Sequence, residues 1–285
     1  MKEVVHGLFR CYLRHFPLRQ GKERVLKKFW RPLSFGNLRR VGRLKNSPVE
    51  LDCDLTQWIQ RHVYFLGEYE PESCRLWAQL AGRAKVIFDV GANVGIYSLL
   101  ASSANRTASI HAFEPTPEMF RALSENIRRN SAANIVPHQE AVGATGGAAF
   151  LWQHVADNEG MNYVTEARVY DSQPAVNRTS LDEFCRANGI ERVDLMKIDI
   201  EGGEYDALRG AERLLAQKKI GCLFIELLDP AAEQKGHTTG DIKELLKRAG
   251  YHMFAIRRAG LTPIERYGGT VENAAAFAEM PDLRL

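Results

Sequence analysis

No stretch of this chain approaches the roughly 18 consecutive apolar residues of a membrane span. Its first residues also lack the unbroken apolar core and small-residue cleavage site of a signal peptide. The expected compartment is therefore the cytoplasm, where the sequons at Asn105 and Asn177 carry no meaning as glycosylation sites. Cysteine is sparse too. Cys11, Cys53, Cys74, Cys185 and Cys222 contain no C-x-x-C pair, so neither a zinc site nor a disulfide framework is indicated. Repeats and low-complexity tracts are missing. Acidic residues are nearly missing from the first 49 positions, where Glu3 and Glu23 stand against 13 of the chain's 38 lysines and arginines. The remainder is acidic, so a net charge of +3 conceals a basic front and an acidic body.

At 285 residues with 45% hydrophobic content, the chain is long enough for one α/β domain and an appendage. The division expected is a basic helical arm over 1–49, a lead-in of strand and helices over 50–85, and a catalytic body over 86–285. In the arm, Val4, Val5, Leu8, Phe9, Tyr12, Leu13 and Phe16 recur at helical spacing, with His6, Arg10 and Arg14 beside them. A second basic stretch, 23–30, holds Val25, Leu26, Phe29 and Trp30. Two readings remain open: a cap that packs its stripe on the body and leaves its charges in water, or an arm over 1–45 that touches an anionic membrane peripherally.

The body is organised around residues 86–95, Val-Ile-Phe-Asp-Val-Gly-Ala-Asn-Val-Gly. An apolar run of strand length, an acid near its end, then glycines opening an apolar helical segment predict strand, tight turn and helix. Here too something is missing. The dinucleotide fingerprint G-x-G-x-x-G would need a third glycine where Ile96 stands, which weakens a nicotinamide reading. Asp89, Gly91, Asn93 and Gly95 resemble instead the first motif of class I S-adenosylmethionine-dependent methyltransferases. A cofactor with a sulfonium and no pyrophosphate has less use for a helix dipole aimed at an anion, and more for a neighbouring acid.

Residues 109–113 read as a second strand ending in Glu114-Pro115, where a carboxylate can accept both hydroxyls of a ribose. A helix over 117–130 and a strand over 135–142 follow, placing Glu140 within reach of an adenine amino group. Sequential βα units of this kind imply a parallel sheet with helices on both faces. Residues 148–152 read as a further strand, and 154–175 as a loop covering the substrate, with His154 as a candidate base. A strand over 194–200 brings Asp199, Glu201 and Glu204 to its carboxyl edge, where they would repel one another unless they bind a cation or share protons. The expected helix over 205–217 and strand over 222–228 set Glu226 beside Asp199. A helix over 241–249 capped by Thr239, and strands over 251–256 and 271–278, complete the reading.

Five stretches together resemble the FkbM family of methyltransferases: 88–95, Phe113-Glu114-Pro115, Thr179-Ser180-Leu181-Asp182, Lys197-Ile198-Asp199-Ile200-Glu201-Gly202-Gly203-Glu204, and Ile225-Glu226. They fall within roughly residues 67–279, and nothing before residue 50 matches. The resemblance implies the class I methyltransferase fold, a Rossmann-like α/β domain with a seven-stranded, mostly parallel sheet. It also implies S-adenosylmethionine as cofactor and O-methylation of a hydroxyl on a small molecule, glycan, lipid-linked sugar or secondary metabolite.

The cofactor-binding candidates are Asp89, Gly91, Asn93, Gly95, Glu114, Glu140 and Asp199. The catalytic candidates are Asp199, Glu226 and His154. Asp199 acts either as base or, with Glu201 and Glu226, as an oxygen site for Mg²⁺. A nucleic acid acceptor is disfavoured, because the fourth strand ends in Lys-Ile-Asp-Ile-Glu-Gly and not in the Asn/Asp-Pro-Pro-Tyr that holds a flipped base. A binding module without chemistry is the remaining alternative, and both acidic stretches being intact argues against it.

Overall fold

The structure, a computed structural model, describes residues 2–15, 21–34, 36–152, 163–165, 173–228, 233, 236–264 and 271–281. They fall into two compact units, one ending at Pro71 and one beginning at Glu72. The first contains α1 (Lys2–His15), α2 (Lys22–Leu33), β1 (Arg39–Arg43), β2 (Glu50–Asp54) and α3 (Trp58–Leu66). β1 and β2 pair antiparallel, Arg43 opposite Glu50, so the strands on either side of position 49 share one hairpin. Both helices expected in the arm form. None among the described residues is long and apolar enough to cross a membrane.

α4 (Pro71–Ala81) starts on the last residue of the first unit and runs into the second, followed by β3 (Val86–Val90), α5 (Ile96–Ala104), β4 (Ser109–Phe113), α6 (Pro117–Arg129) and β5 (Ile135–His138). β6 (Glu140–Val142), β7 (Gly147–Trp152), β8 (Tyr163–Thr165) and β9 (Ala175–Thr179) come next, followed by α7 (Leu181–Ala187), β10 (Val193–Ile198), α8 (Glu204–Arg209) and α9 (Glu212–Ala216). β11 (Ile220–Leu227), α10 (Thr239–Arg248), β12 (His252–Arg257), β13 (Gly260–Pro263) and β14 (Val271–Phe277) end the chain. The main sheet runs β13-β12-β14-β11-β10-β3-β4-β5. From β5 to β11 every neighbouring pair is parallel, and β14 enters antiparallel between β11 and β12. The seven expected strands are present, and β13 adds an eighth at the edge by folding back on β12.

The central strands are apolar because both their faces are covered. Phe88, Phe113 and Phe184 meet edge to face on one side, with ring centroids 4.8 to 5.6 Å apart. On the other, Trp77 meets Tyr97 and Phe224.

Three departures from the sequence reading have local causes. The strand expected over 135–142 is two: β5 stays in the main sheet while β6 joins a second sheet, β6-β9-β7-β8. Only Gln139 separates the two pieces, so the sequence pattern does not reveal the change of partner. The helix expected over 205–217 breaks at Gly210, where a Cβ would lie 2.1 Å from the Gly143 carbonyl oxygen. Asp182 restarts it as α9 by accepting from the Arg213 and Leu214 amides at 2.7 and 3.1 Å. The cap of α10 is Thr238, one residue before the expected Thr239, in a reciprocal capping box with Asp241. Of the loop expected over 154–175, the described part includes β8, a strand paired with β7.

Candidate active site

At the carboxyl edge of β3 the chain turns sharply because Gly91 and Gly95 adopt φ of 83° and 92° and Asn93 a φ of 49°. Gly91 has a second constraint. A Cβ there would sit 1.8 Å from the Asp199 carbonyl oxygen, so only glycine lets the loop lie against the end of β10. The Gly91 and Ala92 amides donate to the Phe113 carbonyl at 3.0 and 2.9 Å, tying the loop to β4. Asn126 of α6, fully buried, donates to the Val94 carbonyl at 2.9 Å, and the Asn93 side chain accepts from the Val94 amide.

Glu114 belongs to this loop. It is 6% exposed, and its two carboxylate oxygens accept the Asn93 and Thr116 amides, each at 2.9 Å. Burial raises its pKa against the lowering by those amides. The Thr116 side chain also donates to the carboxylate, which leaves about one of its roughly four lone-pair sites for a further donor.

Asp89 lies lower, 1% exposed, with one oxygen accepting both the Ser98 amide at 2.9 Å and the Ser98 hydroxyl at 2.6 Å. In this structure it holds the first turn of α5 in place from beneath the loop. Burial raises its pKa as well. Glu140, by contrast, opens β6 in the second sheet, half-buried, with no side-chain hydrogen bond or ion pair among the described residues. His154 lies outside the described residues.

Asp199 and Glu226 do come together. β10 and β11 run parallel with Ile198 beside Ile225, so the next residue of each strand falls side by side, and the two carboxyls share a hydrogen bond. The third member is Lys197, two residues before Asp199 and therefore on the same side of the strand. It is buried, its Nζ 2.5 Å from Asp199 Oδ2 and 4.6 Å from the centre of the Tyr97 ring. Asp199 is also drawn against the loop, its amide donating to the Val90 carbonyl at 3.0 Å.

The protons divide accordingly. Burial works to raise the Asp199 pKa, but the ammonium beside it and two hydrogen bonds leave it below the ordinary value. Glu226 is pushed up to about 10, first by burial and then by the Asp199 charge. At neutral pH it is a carboxylic acid donating to a carboxylate.

Glu201 stands apart with φ of 53°, a backbone state costly to a residue with a Cβ. Its side chain has no hydrogen-bond partner among the described residues. Burial, then the charges of Asp199 and Glu204, push its pKa up to about 8. Glu204 is buried, accepts the Ile200 amide at 2.8 Å and is raised by burial to about 7.

The sequence reading asked that these acids meet a cation or share protons, and the structure answers with both. The cation, however, is the Lys197 ammonium. Among the described residues no three His, Cys, Asp or Glu side chains gather as a metal site, so the expected Mg²⁺ finds no support. The motif gives Lys197 no task by itself, although its two-residue spacing from Asp199 places it on the same face. The outward-facing chemistry is a glycine-bounded loop, the Glu114 carboxylate with a lone pair to spare, and an acidic edge. That donor set fits a nucleoside carrying a positive charge.

Residues 89–253 match the model of the methyltransferase FkbM domain. Among characterised proteins, the hexuronic acid methyltransferase AglP of Haloferax volcanii is 25% identical over 181 residues, covering 63% of this chain and 69% of AglP. The 31-O-demethyl-FK506 methyltransferase FkbM of Streptomyces tacrolimicus is 31% identical over 155 residues, 45% of this chain and 59% of that one. The 2-O-methyltransferase NoeI of Sinorhizobium fredii is 24% identical over 152 residues, 47% and 60% of the two chains. The chain thus spans about three fifths of the length of the latter two.

Proposed function

The chain belongs to the methyltransferase FkbM domain family, whose members are S-adenosylmethionine-dependent methyltransferases, and from that premise we propose that it methylates a hydroxyl group of a glycan or secondary metabolite. The relatives named for O-methylation support the choice of oxygen. The observation that carries the reading is the carboxylate set at the end of β10, beside the glycine loop. Bound to this chain, S-adenosylmethionine supplies the methyl group. The loop over 91–95 shapes its site, Glu114 accepts the ribose hydroxyls, and the carboxylate of Asp199 offers the fixed negative charge that a sulfonium needs nearby. Glu140, on the second sheet, is assigned to the adenine edge.

A neutral hydroxyl must lose its proton as its oxygen becomes methylated. Asp199 is a poor acceptor, since Lys197 and Glu226 both stabilise its charge, and Glu226 already holds a proton. Glu201, without a partner and titrating at about 8, has the matched proton affinity. In this reading it takes the proton, Asp199 and Glu226 set the charge around it, and His154 is the remaining base candidate.

Labelled S-adenosylmethionine offered with hydroxylated glycans and metabolites, amines and RNA tests the acceptor. Label should appear on oxygen, in acid- and base-stable ethers, and label confined to nitrogen or RNA would overturn the proposal. If Glu201 is the base, turnover should climb about tenfold per pH unit below its pKa and level above it. Glu201→Gln should remove that dependence and cost on the order of 10²–10⁴ in rate.

A further inference from the structure

The first unit buries only part of the α1 stripe, Leu13 fully and Phe9 half-buried against Phe65, and gives the rest of that face to polar residues. The residues expected beside its stripe, and so towards water, point inward. His6 is buried, its ring nitrogens 2.6 Å from the Leu33 carbonyl and from the Tyr64 hydroxyl. Arg10 donates to the Tyr64 carbonyl at 3.1 Å and lies 4.2 Å over the Tyr64 ring. Arg14 donates to the Val63, Tyr64 and Arg43 carbonyls. Val63 and Tyr64 belong to the last turn of α3, whose carbonyls carry the negative end of the helix dipole. The two arginines are spent there.

Besides Lys2, Glu3 and Gly7, α1 exposes Val4, Val5, Leu8, Cys11, Tyr12 and His15. Val4 is 64% and Leu8 67% exposed. At 100° per residue these six fall within about 120° of the helix circumference, and none carries a fixed charge. α2 does the reverse. It buries Leu26 and Trp30 and exposes Arg24, Lys27, Lys28 and Arg31 within about 100°, with no ion pair to any of the four among the described residues. Phe29 is exposed beside them, 5.4 Å from the Lys28 ammonium.

We propose that α1 and α2 form a docking surface for an anionic lipid bilayer, the apolar arc of α1 seated at the headgroup and acyl boundary while α2 supplies the charge attraction. An exposed apolar arc and, on the helix packed against it, cations without ion pairs among the described residues supply the two attractions that hold helices in such an interface. The cations need not share the arc's plane, because α1 packs on α2 and a charge acts over about 10 Å at moderate ionic strength. A nucleic acid would use the cations and leave Leu8 without purpose. A second copy of this chain would bring another set of the same cations alongside the first.

Flotation of the full chain with vesicles of phosphatidylcholine, alone or with phosphatidylglycerol, tests this without cofactor or acceptor, so its outcome is independent of the methyl-transfer reading. Val4→Asp with Leu8→Asp removes the arc, and Lys27→Glu with Lys28→Glu reverses half the charge. All four positions are exposed, and circular dichroism should show both variants folded. The chain should float with the anionic vesicles and not with the neutral ones. The arc variant should lose roughly tenfold or more in partitioning at both low and high salt, and the charge variant chiefly at low salt. Absence of flotation with anionic vesicles, undiminished flotation of the arc variant, or a concentration-dependent dimer that the arc variant abolishes would each overturn the proposal.

Discussion

Asp199, Lys197 and Glu226 make an ammonium, a carboxylate and a carboxylic acid into one hydrogen-bonded row at the end of two parallel strands. Removing one member of such a row is costlier than never having built it. Lys197→Met should destabilise the protein by about 3–5 kcal/mol in urea unfolding, because a buried carboxylate loses its cation. Adding Asp199→Asn should recover part of that loss. Glu226 sets a second expectation, this one in pH. Its pKa in the folded protein, about 10, lies above the ordinary 4.5, so between those values the folded chain holds a proton that the unfolded chain releases. The corresponding stability is complete below the ordinary carboxylate range and drains as pH climbs towards 10. Glu226→Gln keeps a neutral partner for Asp199 but binds no proton. Its stability should therefore fall less steeply between neutral and alkaline pH than that of the wild type, the difference being at most about 1.4 kcal/mol per pH unit.

Two turns govern how the elements meet, and they should fail differently. At Gly91 a positive φ coincides with the approach of the Asp199 carbonyl, so Gly91→Ala must move β10 or the loop. Loss of S-adenosylmethionine binding in calorimetry is expected, together with a large drop in melting temperature. Asp182 acts at a distance from the loop, capping α9 where Gly210 has ended α8. Asp182→Ala should cost about 1 kcal/mol, the usual worth of a cap, and leave cofactor affinity unchanged. Ser180 is the cap of α7, its hydroxyl accepting the Glu183 amide. Within the Thr179-Ser180-Leu181-Asp182 motif, the Ser180 hydroxyl and the Asp182 carboxylate therefore start two successive helices, and neither side chain is spent on the catalytic edge.

For the molecule as a whole, a ligand that binds only the folded chain stabilises it by mass action, about 2.7 kcal/mol at a hundred times its dissociation constant. S-adenosylmethionine should raise the melting temperature accordingly, and Glu114→Ala should abolish the rise while leaving the unliganded protein folded. Local order along the chain settles much of this architecture. The apolar run of β3, the glycines after it and the acid closing β4 are short-range or period-two features, and such features are written in sequence, whereas Glu226 beside Asp199 follows only once the strand order of the resembled fold is assumed. Periodicity is blind to which partner an element chooses. Nothing in the pattern of 135–142 marks the step from β5 to β6, where the chain changes sheets, and an unbroken helical pattern runs through Gly210 although the Gly143 carbonyl occupies the space a side chain would need. The stripe of α1 was legible as a stripe, but only the folded chain determined that His6, Arg10 and Arg14 face the end of α3 and that Val4 and Leu8 face outward. The reason is the same in each case. Spacing along the chain fixes which residues share a face, whereas the burial of that face depends on carbonyls, charges and backbones that arrive from elsewhere in the chain.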